Sequence, residues 1–350
     1  MYTCIDCFSG AGGLSIGLAK SGIDVIYGFD IDEKCIETQR KNKRYIDHQV
    51  GVHDIKDMLN GNLLDMLKIR KGELFLLAGG PPCQGFSVQR IGSDIDERND
   101  LVLYYLRLIE EVYPKFFVME NVSGITGKRG KSYFDKFLSD IKSIGYTVTY
   151  DCLDMQNFGV PQRRKRMIAV GVRNDICKAP FILPLSEGSR KVTVRDTIGS
   201  IPAPPEDYTD HPDYIHHRRD KLSAKNMQRI LMLREGQGRD YLPDYLLADC
   251  HKKESAIIGH RNVYGRMKWD DVAPTITARF DSFTRGQFGH PDQPRSISLR
   301  EGALLQKFPI DFVFSGNKVD IARQIGNAVP PLFSSKLGKW IIEYYESECK

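Results

Sequence analysis

Thr3-Cys4-Ile5-Asp6-Cys7-Phe8-Ser9-Gly10-Ala11-Gly12-Gly13-Leu14-Ser15 is the stretch on which the fold turns. Residues 3–8 form an apolar run of strand length, three glycines follow, and 14–21 has the apolar spacing of a helix that ends at Gly22. Glycines let a backbone turn tightly and approach a ligand closely, and the N-terminus of the helix that follows favours an anionic group. A dinucleotide fingerprint requires a third glycine where Ser15 stands, which argues against NAD. Asp30 closes the next strand candidate, where a carboxylate takes ribose hydroxyls. Asp54, after a third strand, is placed for a second polar edge such as an adenine amine. Alone, the loop indicates a nucleoside-containing cofactor; the alternative is a plain strand-to-helix turn.

Outward from that loop the pattern repeats. Further strands are expected at 25–29, 74–78, 116–119, 147–150 and 167–172, and helices at 32–42, 100–112 and 133–144. Such alternation predicts a doubly wound α/β sheet whose ligands sit beyond the C-terminal strand ends. From about residue 180 the texture changes. Pro180, Pro184, Pro202, Pro204, Pro205 and Pro212 come close together, His216-His217-Arg218-Arg219 follows, and the alternation is lost until about residue 320. A chain of 350 residues exceeds the roughly 250–300 that one core supports, so this region is expected to be a second, smaller domain. Residues 331–346 read as a closing helix.

Composition narrows the class. With 41% hydrophobic and 27% charged residues the chain is ordinary globular material. No apolar run nears the roughly 18 residues of a membrane span, and no basic residue precedes the first apolar run, as a signal peptide would require. A cytosolic, reducing compartment is expected. The net charge of +5 is compatible with a polyanion but does not indicate one. Among eight cysteines, Cys4 and Cys7 have C-x-x-C spacing but lie three apart on a strand, on opposite faces, so no metal is expected.

Two further regions carry chemistry. Gly79-Gly80-Pro81-Pro82-Cys83-Gln84-Gly85-Phe86-Ser87 follows an apolar strand, with two prolines fixing the backbone before a thiol flanked by glycines. A nucleophile must be exposed and held in this way; a buried structural cysteine needs neither. Glu120-Asn121-Val122 places a carboxyl at a strand end as a candidate proton donor, and Gln162-Arg163-Arg164-Lys165-Arg166 leads into a strand with Arg166 able to reach a substrate oxygen.

In these residues the sequence resembles the cytosine-5 DNA methyltransferases. Phe8 to Gly13 resembles that family's first motif, Gly79 to Ser87 its nucleophile loop, Glu120-Asn121-Val122 its acid motif and Gln162 to Arg166 its Gln-Arg-Arg-x-Arg motif. Arg300-Glu301-Gly302-Ala303-Leu304-Leu305-Gln306-Lys307-Phe308-Pro309 resembles the ninth motif, and Gln324-Ile325-Gly326-Asn327-Ala328-Val329-Pro330-Pro331 the tenth. The blocks follow the family order over nearly the whole chain, and about 180–290 matches its variable target-recognition region.

The resemblance implies a Rossmann-like S-adenosylmethionine-dependent fold, with a discontinuous catalytic domain at 1–180 plus 318–350 and a target-recognition domain and hinge at 181–317. Phe8 would stack on the adenine of S-adenosylmethionine, Gly10, Gly12 and Gly13 would line its methionine end, and Asp30 would hold the ribose. Asp54 would take the adenine amine with Ile55 against the ring, and Pro82, Leu101 and Asn327 would complete the pocket. S-adenosylhomocysteine would be the product and no metal is implied. Cys83 would add to carbon 6 of a cytosine, Glu120 would act at ring nitrogen 3, and Arg166, helped by Arg164, would bind the exocyclic oxygen.

The base must leave the duplex to react. Ser87, Arg90 and Arg98, with Arg279 and Arg285 of the smaller domain, are candidates for contacts to double-stranded DNA, and Gln237 for filling the gap the base leaves. The expected protein is a monomeric, cytoplasmic bacterial enzyme of the restriction-modification kind. An RNA (tRNA) cytosine-5 methyltransferase on the same scaffold is the nearest rival. A dehydrogenase explains the sheet but neither Cys83 nor Glu120.

Overall fold

The computed structural model describes residues 1–82, 100–128, 130–177, 179–188, 190–249 and 263–349. They pack into two compact units. The first comprises Met1–Asp154, Lys165–Gly188 and Val329–Lys350, and the second Met155–Arg164 and Ser189–Ala328. The second unit therefore takes in the loop bearing Arg164 and the helix ending at Asn327, both of which the sequence reading placed with the first.

The first unit is built on one mixed sheet, ordered β3-β2-β1-β4-β5-β7-β6. Its strands are β1 (Thr3–Cys7), β2 (Asp24–Asp30), β3 (Gln49–Val52), β4 (Leu76–Gly79), β5 (Phe116–Val122), β6 (Tyr146–Asp154) and β7 (Lys165–Arg173). Strands β1 to β5 are mutually parallel, while β7 runs antiparallel to both β5 and β6. Helices α1 (Gly13–Lys20), α2 (Glu33–Lys41), α3 (Asn62–Leu67), α4 (Asp100–Val112) and α5 (Lys131–Ile144) follow successive strands. Because the central strands are covered on both faces, they read as unbroken apolar runs such as Leu76-Leu77-Ala78 and Phe116-Phe117-Val118-Met119, all buried.

Local signals set the boundaries. Asp32 caps α2 by accepting from the Lys34 amide, and α5 stops at Gly145, whose φ of 101° suits the left-handed C-terminal position. β6 runs well beyond the expected 147–150 because its outer half is polar and exposed, as an edge strand permits. The late helix α10 (Pro331–Glu348) packs on α1. A Cβ on Gly17 would stand 2.3 Å from the Pro331 carbonyl oxygen, and one on Gly338 2.2 Å from Ser21 Oγ, so both glycines are required for this backbone approach.

The second unit holds α6 (Val194–Ile198), α7 (Ala224–Met232), α8 (Leu299–Leu305) and α9 (Lys318–Asn327), with no strand beyond isolated bridges among its described residues. One apolar cluster gathers Ile230, Leu233, Leu242, Leu246 and Phe283, and Phe308, Phe312 and Phe314 pack ring against ring. So small a core is reinforced by buried charge. Arg295 makes two 2.7 Å hydrogen bonds to Glu301, which is 1% exposed and also completes the capping box of Ser298 on α8. The neighbouring Arg300, fully buried, donates to the carbonyls of Ile215, Pro309 and Phe312. Among the described residues no helix is long and apolar enough to cross a membrane.

Burial alone would raise Glu301, but the charge and hydrogen bonds of Arg295 overcome it and hold the carboxyl at about 2. A depressed carboxyl stabilises the fold above its unfolded value, near 4.5, and that contribution fades as pH falls toward about 2. Glu301→Gln should lower the unfolding free energy at neutral pH by about 3–5 kcal/mol, since Arg295 is left buried without its anion. Urea unfolding followed by tryptophan fluorescence should show the gap between wild type and variant closing across that acid window.

Candidate functional site

The glycine loop leaves β1 at its C-terminal end. Phe8 takes a positive φ of 58°, an unusual conformation for a bulky side chain, and Gly10 and Gly12 follow at 53° and 84°. Space lies open where a Cβ on Gly10 would project, whereas one on Gly12 would meet Ile46 at 2.4 Å. The loop is held from three sides. Asp30 accepts the Gly10 amide at 2.9 Å on one oxygen and the Asp32 amide at 2.9 Å on the other. Gln39 Nε2 donates to Ser9 Oγ and the Gly10 carbonyl, each at 2.8 Å. Ser15 Oγ donates at 2.5 Å to Asp6, fully buried in β1.

Two carboxyls thus lie beneath the loop, and burial raises both. Asp6 is pushed to about 7 against the Ser15 hydrogen bonds, and Asp30 is raised despite its backbone donors. A cationic ligand would favour their ionised forms. Asp54 caps the 3-10 turn Ile55–Met58 by accepting from the Lys56 amide, with Ile55 buried behind it. These residues fit S-adenosylmethionine: open space above a glycine turn, a carboxylate with lone pairs left for a diol, and apolar surface from Phe8 and Ile55. Leu101 is half-buried against the same core. Cys4 and Cys7 are buried in β1, and burial with the nearby Asp6 raises both thiols. Among the described residues no cluster of three or more His, Cys, Asp or Glu side chains forms a metal site.

β1, β4, β5 and β7 are consecutive in the sheet, so the glycine loop, Gly79-Gly80-Pro81-Pro82, Glu120 and Arg166 emerge side by side. Because β7 is reversed, its first residues lie at the same edge as the last residues of β5, with Arg166 opposite Val122. Arg166 Nε stands 3.0 Å from Glu120 Oε1, with side-chain exposures of 16% and 11%. The approach is off the hydrogen-bonding direction, so the contact is an ion pair that leaves Oε1 without a hydrogen-bond partner among the described residues. A Cβ on Gly80 would lie 3.3 Å from Glu120 Oε2, so a side chain there would crowd that carboxyl. Asn121 Nδ2 donates at 3.0 Å to the Pro81 carbonyl, pinning the start of the Pro-Pro-Cys loop. Pro81 is buried and Pro82 exposed. Cys83, Ser87, Arg90 and Arg98 lie outside the described residues.

Arg164 departs from expectation. It is fully buried in the second unit and donates to the carbonyls of Ile276, Gly326 and Ala328 at 3.0–3.2 Å. Those donors hold backbone on either side of Asn327, so Arg164 is a structural clamp and not a substrate ligand. Gln162 and Gln306 extend the network: Gln162 receives the Ile276 amide and donates to Gln306, which donates to the Ile325 carbonyl. The two arginines divide because Arg164 lies in the loop before β7, within the second unit, while Arg166 is carried in the strand. Asn327 is exposed at the end of α9. Gln237 Oε1 accepts the Arg234 amide at 2.9 Å, folding the side chain back on its own turn. Arg279 pairs with Asp281 at 3.1 Å, and Arg285 is exposed on a 3-10 turn. Gly236, Gly238, Arg239, Tyr241, Gly265 and Lys268 line much of a cavity of about 370 Å³ in this unit.

Sequence reasoning missed Gln39, Asn121 and the pairing of Asp6 with Ser15. Ser15 was visible as the residue replacing a third glycine, but its partner was not, because a carboxyl inside an apolar strand carries no local signal.

The family model of C-5 cytosine-specific DNA methylases matches residues 2–343. The type II methylase M.HgiDII of Herpetosiphon aurantiacus is 35% identical over 349 residues, spanning 98% of this chain and 95% of that protein. The type II methyltransferase M1.HphI of Haemophilus parahaemolyticus is 33% identical, over 99% of this chain and 88% of its own. A solved chain described as a prophage-encoded DNA modification methyltransferase (E. coli) shares the fold with a TM-score of 0.73, at 24% identity over 99% of this chain and 100% of that one.

The two arginines give a direct contrast. Arg164→Met should destabilise by at least about 3 kcal/mol, since three buried carbonyls lose their donors. Arg166→Met should lower the urea midpoint less than Arg164→Met does, since one partly buried ion pair is lost and not three buried hydrogen bonds, while methyl transfer falls by about 100-fold or more. Equal stability of the two variants would contradict the assignment.

Proposed function

This chain belongs to the C-5 cytosine-specific DNA methylase family, and on that premise we propose that it methylates carbon 5 of a cytosine flipped out of a specific short duplex sequence, through a covalent Cys83 adduct. The reading is carried by the alignment of chemistry across four neighbouring strands, with Glu120 and Arg166 paired beside the loop that leads to Cys83.

Carbon 5 of cytosine is a poor nucleophile, and the side chains are arranged to change that. The Cys83 thiolate adds to carbon 6, forming a carbon–sulfur bond and shifting the ring's electrons toward carbon 5. Glu120, held by Arg166, gives or shares a proton at ring nitrogen 3, drawing off the charge that the thiolate brings. Arg166 holds the exocyclic oxygen while keeping Glu120 in place. S-adenosylmethionine, when bound, supplies an electrophilic methyl and leaves as S-adenosylhomocysteine. Carbon 5 takes that methyl; its proton then departs to a base, a side chain or water, the carbon–sulfur bond breaks, and Cys83 is restored.

Phe8 and Ile55 would enclose the adenine, Asp54 its amine and Asp30 the ribose, with Gly10, Gly12 and Gly13 at the methionine end and Pro82, Leu101 and Asn327 closing the pocket. Asp30 can do this without releasing the Gly10 and Asp32 amides, because each carboxylate oxygen has a lone pair to spare. Ser87, Arg90, Arg98, Arg279 and Arg285 would contact double-stranded DNA, and Gln237 would enter the gap once its bond to the Arg234 amide is broken. In this reading the protein is a monomer acting on bacterial DNA in the cytoplasm, protecting it from a cognate endonuclease, as the names of its type II relatives suggest.

Bisulfite sequencing of DNA from bacteria expressing the protein should show protected cytosines at one short motif, absent with Cys83→Ser, while that variant still binds S-adenosylhomocysteine. A duplex carrying 5-fluorocytosine should form a denaturation-resistant adduct at Cys83. Unmodified DNA together with labelled tRNA would move the substrate to RNA, and an adduct at another cysteine would overturn the mechanism.

A further inference from the structure

Tyr105 is fully buried on α4, yet its phenol touches both functional strands. The hydroxyl lies 3.0 Å from the Leu77 carbonyl oxygen on β4 and 2.8 Å from that of Val118 on β5, so one proton is shared between the strands. Both contacts fall two residues before the strand ends that matter, Gly79 on β4 and Glu120 on β5. The ring meets Phe8 edge to face, with centroids 6.3 Å apart at 66°. A Cβ on Gly79 would stand 3.0 Å from ring carbon Cε2, so glycine there lets the tyrosine pack close to the strand. Burial raises the phenol well above its usual range, so the hydroxyl remains a donor at any working pH.

We propose that Tyr105 is a positioning residue for both halves of the reaction: its ring backs Phe8 against the cofactor's adenine, and its hydroxyl sets the spacing of β4 and β5, from which the Pro-Pro-Cys loop and Glu120 project. The inference rests on the reading of Phe8 and Glu120 given above. Phe8 needs such a backing. Its left-handed backbone aims the ring out of the strand's line, and a ring that must stack on a ligand gains affinity by being fixed beforehand. The strand spacing needs its tie as well. Asn121 Nδ2 reaches the Pro81 carbonyl at 3.0 Å, a distance that a small slip between the strands would lose.

Two substitutions separate the roles. Tyr105→Phe keeps the ring and removes the tie; kcat should fall roughly fivefold, with the Kd for S-adenosylhomocysteine within about twofold of wild type. Tyr105→Leu removes both, and that Kd should rise about fivefold or more. Should the leucine variant fail to fold, Gly79→Ala presses on the same ring and should raise the Kd in its place, while Tyr105→Phe is read as before. Calorimetry with S-adenosylhomocysteine gives the Kd without nucleic acid, and kcat is read on whichever nucleic acid the wild type methylates. A lowered Tm with both constants unchanged would make Tyr105 merely structural, and equal Kd changes in the phenylalanine and leucine variants would defeat the division of roles. A wild type that binds no S-adenosylhomocysteine would defeat the site reading and this inference together. Methylation of RNA alone would defeat only the choice of DNA.

Discussion

The pairing of Glu120 with Arg166 depends on β7 running against β5. In a fully parallel sheet every strand delivers its last residues to the ligand edge, and a cation from the seventh strand would have to follow it. Reversal places the first residues of β7 there, so Arg166 meets the end of β5 across a single register pair. The reversal also brings β7 in between β5 and β6, which lets the charged pair sit within the sheet and partly out of water. In that setting an ion pair is less screened and a carboxyl oxygen without a hydrogen-bond partner is more demanding of one. The charged pair at this edge is therefore a consequence of strand direction as much as of side-chain choice.

A second constraint is close backbone approach. Gly326 against the Thr277 backbone admits a contact that a methyl group would block, and Gly12 against Ile46, Gly79 against Tyr105 and Gly80 against Glu120 admit contacts that a methyl group would crowd. Around these contacts lie hydrogen-bonded side chains that hold loops in place: Asp30 and Gln39 on the glycine loop, Asn121 on Pro81, and Arg164 with Gln306 on the turn after α9. Buried polar groups of this kind are costly unless satisfied and specify one arrangement when they are.

The sheet was legible in the sequence because apolar runs and glycine turns are local signals, and Glu120 and Arg166, which the structure pairs, stood out because charged residues at the ends of apolar strands are conspicuous. Arg164 was not distinguishable from its neighbours. In a run of four cations nothing local says that one is buried among carbonyls from residues 276, 326 and 328. Exposed polar residues in the outer half of β6 concealed its length, and the Glu301 clamp was hidden because a buried ion pair leaves the same trace in sequence as surface charge. Arg164, Gln39 and Asn121 were missed because their partners lie far along the chain.

The packing of α1 on α10 bears on how the protein matures. Gly17 and Gly338 bring together a helix made among the first residues and one made after most of the chain has been translated. Until α10 is made, the face of α1 that receives it has no partner, so the helix that follows the glycine loop is secured late in the folding of the first unit even though the loop's own hydrogen bonds come from earlier residues.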